Sequence, residues 1–328
     1  MIALALLAAL HATPTPLVNS EPYMHAQRLV DIGNGRRMNI YCVGSGSPTV
    51  IFDSGLETGS GTLPWSRVQP AIASVTRACS YDRAGDGFSD PGPLPRTADA
   101  IVEDLHALLQ SAGIAPPYVL VGHSIAGIYE PLFADRYPGE VVGMVLVDPS
   151  VPGQEALLTS ELPKYAAFED QQRAQLHRCA DDPAQKACRP AMAAAAWRDV
   201  ASELDNFGED GAELDTASHG YGSMPIIVLT ATEDMKSMQH EMGASNAQVE
   251  AVTNGWTTLH DQLAAQSSRG VNCVIAGSGH YIQTDKPNVV IEAIRQVLSL
   301  IPTDEKPSCA AWASPTSRPK RAPQRSRS

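Results

Sequence analysis

Residues 119–130, VLVGHSIAGIYE, begin as an unbroken apolar run and then place a glycine, a histidine and a serine in a row before a helical pattern resumes. Residues 118–121 are apolar and β-branched without alternation, the pattern of a parallel strand covered on both faces. Residues 125–137 read as a helix with small residues at its start. A serine on so tight a strand-to-helix turn projects its hydroxyl outward, and the helix N-terminus behind it offers unpaired N–H groups to an anion. This is the arrangement of a nucleophile elbow. Its usual pattern is G-x-S-x-G; here Gly122, Ser124 and Ala126 fill it, with Gly127 one place late. Alone, the match is weak, because Gly and Ser also make ordinary loops.

Outward from this turn, strand and helix alternate. Strands are expected at 28–32, 38–43, 49–53, 76–81, 118–121, 142–147, 226–230 and 272–275. Residues 98–112 carry Ile101, Leu105, Leu108 and Leu109 on one helical face, and Val290, Ile294, Val297, Leu298 and Ile301 make a similar stripe near the end. The alternation implies an α/β fold, a mostly parallel eight-stranded sheet with helices on both faces. From Asp148 to Met224 the rhythm stops. That stretch has helix-forming runs and no clear strand, with thirteen Asp/Glu against six Lys/Arg over residues 149–223. It reads as an inserted helical cap at 149–223, between core segments 25–148 and 224–302, with its acidic side chains mostly facing water.

The whole chain fits this outline. At 328 residues, 43% hydrophobic and 18% charged, it can bury a large core. A formal charge of −12 argues against nucleic acid or an anionic membrane as the main partner, since both need clustered Lys and Arg. The basic exception is a Pro- and Ser-interleaved tail at 314–328 with five Lys/Arg and no acid, expected to be disordered and at most a weak surface tether. Residues 1–12 have the apolar run and small-residue end of a secretory signal, although the first Lys or Arg is Arg28. The run is too short to span a bilayer, and no later segment reaches that length. Six cysteines support the same secreted or periplasmic setting. Fifteen pairings of six cysteines are possible. Cys179 and Cys188 stand close together in an irregular stretch, and Cys309 lies just beyond the last predicted helix, where a staple would hold the chain end.

In an open α/β sheet, chemistry gathers at the carboxyl ends of the strands. Ser124 follows one such end, Asp234 follows the strand in PIIVLTATED (225–234), and His280 follows the strand of NCVIAG. A serine hydroxyl is a poor nucleophile at neutral pH. It needs an imidazole to take its proton and a carboxylate to orient that imidazole. The order Ser, Asp, His suits this kind of sheet. Asp234 is the first choice of acid, and Asp148, at the end of VLVDPS, is the rival. His123 reads as a packing residue, Asp82 and Arg83 as a structural pair near the mouth, and Glu57 as facing solvent. His106, His177 and His219 lack metal-like spacing, so neither a metal nor a cofactor is expected.

Taken together, GHSIAG (122–127), PIIVLTATED, SGHYIQTDKPNVVIEAI (278–294) and YDRAGDGFSD (81–90) resemble the α/β-hydrolase superfamily, and the resemblance runs from about residue 25 to 300. The last motif is similar to one in esterase-like and proline-iminopeptidase-like members. The resemblance implies the α/β-hydrolase fold, with Cys42 beside Cys79 on neighbouring strands and Cys273 left to pair with Cys309. Cys179 and Cys188 would form the third bridge. It also implies an oxyanion hole made by the N–H groups of Leu56 and Ile125. The family usually has His-Gly after the third strand, where this chain has Asp53-Ser54-Gly55-Leu56. A backbone donor does not need the histidine, but the departure leaves open what braces the loop.

The implied reaction is acyl transfer to water, with a small-molecule carboxylic ester as substrate. The same residues on the same fold also cleave amides and lactones. An acidic cap, able to bind a substrate ammonium, makes a proline-iminopeptidase-like amidase the alternative. A non-catalytic binding protein on this scaffold is the remote one, disfavoured because all three triad candidates are present.

Overall fold

The computed structural model describes residues 20–57, 59–188, 194–217, 220–233, 239–240 and 242–312. The expected signal segment at 1–12, the tail at 314–328, Asp234 and His219 lie outside the described residues. The strands are β1 (Leu29–Asp31), β2 (Arg37–Val43), β3 (Thr49–Asp53), β4 (Ala78–Tyr81), β5 (Tyr118–His123), β6 (Val141–Val147), β7 (Ile226–Ala231) and β8 (Gly270–Ile275). They form one sheet in the order β1-β2-β4-β3-β5-β6-β7-β8. β2 runs antiparallel to both of its neighbours, and every pairing from β4 to β8 is parallel.

Each central strand is apolar on both of its faces through its middle because each serves two cores. Ile51, Leu120, Met144, Leu146 and Val228 point to one face, where they pack with Leu105 and Leu109 of α2 (Ala98–Ala112) and Ile128 and Leu132 of α3 (Ala126–Arg136). Val50, Phe52, Val119, Val121, Val145 and Val147 point to the other. There they meet Ile72 of α1 (Gln69–Ala73) and Val290, Ile294 and Val297 of a C-terminal helix, Pro287–Leu300. Full burial of each such side chain contributes about 1.5–3 kcal/mol, so a one-residue slip that exchanged the faces is strongly disfavoured. Local signals set the helix ends. Thr97 accepts a hydrogen bond from the Ala100 N–H to start α2, and Gly113 ends it in the left-handed region at φ 70°.

Between β6 and β7 the chain leaves the sheet, and among the described residues it forms the helices α4 (Gln154–Glu161), α5 (Tyr165–Asp181) and α6 (Ala194–Ala217). α7 (Asn246–Ala265) joins β7 to β8 and starts with a reciprocal cap between Ser245 and Gln248. A short helix α8 (Ile282–Asp285) precedes α9, the C-terminal helix Pro287–Leu300.

Three disulfides are present. Cys42–Cys79 joins directly opposed residues of β2 and β4. Cys179–Cys188 closes the end of α5, and Cys273–Cys309 ties β8 to the segment beyond α9. These suit an oxidising compartment. Among the described residues no helix is long and apolar enough to cross a membrane.

Candidate active site

β5 ends at His123 and α3 begins at Ala126, so Ser124 must turn the chain within two residues. It does so at φ 55°, a left-handed conformation that costs a non-glycine residue on the order of 1–3 kcal/mol. Neighbouring backbone holds it there. Its N–H donates to the Val147 carbonyl (3.2 Å), and its carbonyl accepts from the N–H groups of Gly127 (2.8 Å) and Ser150 (2.7 Å). The displaced glycine of the elbow motif has a local cause. A Cβ at Gly127 would stand 2.3 Å from Pro149 Cβ and 2.5 Å from the Ser150 carbonyl oxygen, so glycine is required at 127, where the segment after β6 presses on α3.

That segment begins with Asp148, also at positive φ (41°) and 3% exposed. Its Oδ2 lies 2.7 Å from His280 Nδ1 across 132 residues of sequence. Its Oδ1 accepts from the Ala231 N–H (3.0 Å) and from Trp256 Nε1 (3.3 Å). Burial pushes the Asp148 pKa up, but the hydrogen bond and charge of His280, helped by His260 and the Ala231 N–H, outweigh it and hold the carboxyl below its ordinary value. The partner at His280 Nδ1 is therefore Asp148. Asp234, expected on the neighbouring strand end, lies outside the described residues.

The His123 ring lies 4.6 Å from that of His280, tilted by 48° to it. Burial pushes its pKa well down, so the ring is neutral, and its Nε2 donates to the His280 carbonyl at 3.1 Å. The expected packing residue thus also anchors the histidine loop to the elbow. His260 of α7 does the same for the acid. It is fully buried, with Nε2 2.9 Å from the Pro149 carbonyl and Nδ1 2.7 Å from Thr230 Oγ1. Trp256 and His260 had no sequence signal except their four-residue spacing on one face of a helix.

The turn after β3 lies against the same elbow: a Cβ at Gly55 would stand 3.1 Å from Ser124 Cβ and 3.0 Å from His123 Nδ1. Arg83 braces this turn from beneath. Its Nη1 donates to Asp53 Oδ1 (2.7 Å) and the Ser54 carbonyl (2.6 Å), and its Nη2 to the Gly55 carbonyl (2.7 Å). Nη2 also lies 3.1 Å from Glu203 Oε2 of α6 and 3.7 Å from Asp86. Burial opposes the charge on Arg83, but Glu203, Asp53 and Asp86 outweigh it and keep the guanidinium protonated.

Two expectations need correction here. Asp82 and Arg83 do not pair with each other, because adjacent residues of an extended segment point to opposite sides. Asp82 instead accepts from Asn39 Nδ2 (2.9 Å), Ser60 Oγ (3.1 Å) and the N–H groups of Thr62 (3.1 Å) and Phe88 (3.0 Å). Glu57 is buried rather than facing solvent. Most of the described acidic side chains of the cap are exposed or half-exposed, as expected; the exceptions are Asp199, Glu203 and Asp210, which are buried and turned toward the core. Asp199 accepts from the Gly92 N–H (2.6 Å) and Asp210 from the Ala98 N–H (2.9 Å).

A serine strained on a strand-to-helix turn, and a histidine gripped by a buried aspartate at the edge of this sheet, define a class. Residues 50–293 match the Alpha/beta hydrolase family, and the chain belongs to it; its sheet is the α/β-hydrolase fold. Among curated relatives, Lipase LipV of Mycobacterium tuberculosis (strain ATCC 25618 / H37Rv) is 29% identical over 286 residues, covering 84% of this chain and 97% of the relative. Uncharacterized protein YqjL of Bacillus subtilis (strain 168) is 28% identical over 254 residues, covering 77% of this chain and 85% of the relative. Among solved structures, a thermophilic esterase from Thermogutta terrifontis has the same fold, with a TM-score of 0.55 at 19% identity, covering 84% of this chain and 99% of that one.

Proposed function

We propose that the protein is an exported serine hydrolase that cleaves small carboxylic esters through Ser124, His280 and Asp148. The observation that carries this is the 2.7 Å contact between Asp148 Oδ2 and His280 Nδ1, made beside a serine at φ 55°. The carboxylate fixes the proton on Nδ1, so that Nε2 carries the lone pair that takes the Ser124 proton. The serinate then attacks the ester carbonyl, and the oxyanion is received by the N–H groups of Leu56 and Ile125. The imidazolium protonates the leaving alcohol. A water, deprotonated in turn by His280, releases the acid. Asp148 replaces Asp234 as the acid in this reading.

Asp199, Glu203 and Asp210 are held in contacts with the core, so these three carboxylates do not support binding of a substrate ammonium. A lipase among the relatives and an esterase among the structural neighbours agree with ester chemistry. A chain-length series of p-nitrophenyl esters, run beside prolyl amides, tests the reading. Ester turnover that vanishes in Ser124→Ala, with fluorophosphonate labelling of the wild type alone, is the expected result. Prolyl-amide turnover exceeding that of every ester would transfer the assignment to an aminopeptidase, and no labelling would refute the serine mechanism.

A further inference from the structure

The turn 53–56, Asp-Ser-Gly-Leu, has no histidine of its own, yet it must aim one N–H at a developing charge. The peptide bond between Gly55 and Leu56 is trans, so the Gly55 carbonyl and the Leu56 N–H lie in one plane and point in opposite directions. Whatever holds the carbonyl therefore sets the direction of the N–H. Arg83 Nη2 holds it at 2.7 Å, while Nη1 holds the preceding Ser54 carbonyl at 2.6 Å. Two parallel donors from one planar fork fix the turn in both translation and rotation, which a single point charge does not.

Arg83 is itself positioned from two sides. Asp53, on the strand that enters the turn, takes Nη1, and Tyr81 donates to the other Asp53 oxygen at 2.8 Å. From the cap, Glu203 takes Nη2 at 3.1 Å, with its Oε1 3.4 Å from Arg83 Nε, and the Tyr129 ring of α3 lies 5.4 Å from the guanidinium carbon. Arg83 and Glu203 side chains are 3% and 1% exposed, so water does not compete with either contact.

We infer that Arg83 is a positioning residue that aims the Leu56 N–H at the oxyanion, and that Glu203 makes this aim depend on the docking of the cap helix. The cap then assembles the oxyanion hole as well as covering the site. The kinetic consequence rests on the serine-hydrolase reading; the clamping of the turn does not.

The test compares Arg83→Lys and Glu203→Gln with wild type by steady-state kinetics on p-nitrophenyl acetate and by hydrogen exchange of the peptide spanning residues 53–57. Arg83→Lys keeps the charge and loses the fork. Its kcat is expected to fall about 10–100-fold with KM changed less than about threefold, since misplacing one oxyanion donor by an ångström acts on the transition state. Glu203→Gln keeps the shape and an acceptor. It is expected to lose roughly 3–10-fold in the same parameter, and it serves alone should Arg83→Lys not fold. Exchange at 53–57 is expected to quicken in both variants, with the β5 and β6 peptides unchanged. A kcat within twofold of wild type overturns the positioning role, even if exchange quickens, because a purely structural ion pair would do that. If the wild type hydrolyses no ester, the serine-hydrolase reading fails and exchange alone decides the clamp: quickened exchange supports it, and unchanged exchange overturns it.

Discussion

Replacing Asp148 by asparagine tests the site at one atom. In the wild type, Oδ1 receives two N–H groups, from Ala231 and Trp256, while Oδ2 meets His280 Nδ1. An asparagine amide can satisfy those two donors only with its oxygen at the Oδ1 position, so its NH2 must face His280. The ring is then driven to the tautomer with the proton on Nε2, which cannot accept the Ser124 proton. The corresponding change in serine proteases lowers kcat about 10⁴-fold, or roughly 5.4 kcal/mol of barrier, and a similar loss is expected here. Stability also falls. The Asp148 pKa is held down in the folded protein, so its ionised form contributes stability above its unfolded pKa and loses that contribution as pH falls through the folded value. A charge-assisted hydrogen bond contributes about 1.5–3 kcal/mol, which sets the expected loss at pH 7.5. Initial rates on p-nitrophenyl acetate at 25 °C, normalised to folded protein by near-ultraviolet circular dichroism, separate the two effects. A kcat within tenfold of wild type would refute the tautomer argument, and a 10⁴-fold loss in Asp234→Asn instead would return the acid to residue 234.

Ser124→Ala should abolish turnover with a nearly unchanged Tm, and His280→Ala should abolish it with a lowered Tm, because it takes away the hydrogen bond that holds the buried Asp148 carboxylate ionised; the double variant should be hardly slower than either single one, because triad members act as a unit, and kinetics and melts of all three variants check this. The Asp210 carboxyl, raised by burial to about 7 from 3.8, favours folding while protonated, so its contribution is complete below about pH 4 and is lost as pH rises through 7. Asp210→Asn should therefore raise Tm at pH 8, by at most about 4 kcal/mol of stability, and flatten the slope of Tm against pH; thermal melts from pH 5 to 8 measure this. The bridge between Cys42 and Cys79 closes 37 residues, for which the chain-entropy estimate is about 4 kcal/mol. The Cys42→Ser, Cys79→Ser double variant should lose about that much in urea unfolding, and an unchanged midpoint would contradict it.

The sequence by itself determined the elements, because their signals are local. The short apolar runs at 50–52 and 142–147, rich in β-branched residues and bounded by turn residues, read as strands buried on both faces, and the stripe at Ile101, Leu105, Leu108 and Leu109 marks α2, bounded as observed at Ala98 and Ala112. Ser124 was legible for the same reason: a glycine-bounded serine between a buried strand and a helix has little choice but a strained turn. Contacts between distant segments were not legible. Asp148 and His280 are 132 residues apart, and their meeting depends on the register of β6 against β7 and on the path of the loop beyond β8. The Arg83 fork needed three segments at once, the turn after β3, the end of β4 and cap helix α6. Read along the chain, Arg83 had only Asp82 and Asp86 near it, and neither indicates the turn after β3 or Glu203. Periodicity states which face of an element is buried, whereas only packing decides which side chains meet there, and buried charges such as Arg83 and Glu203 are placed entirely by that second decision.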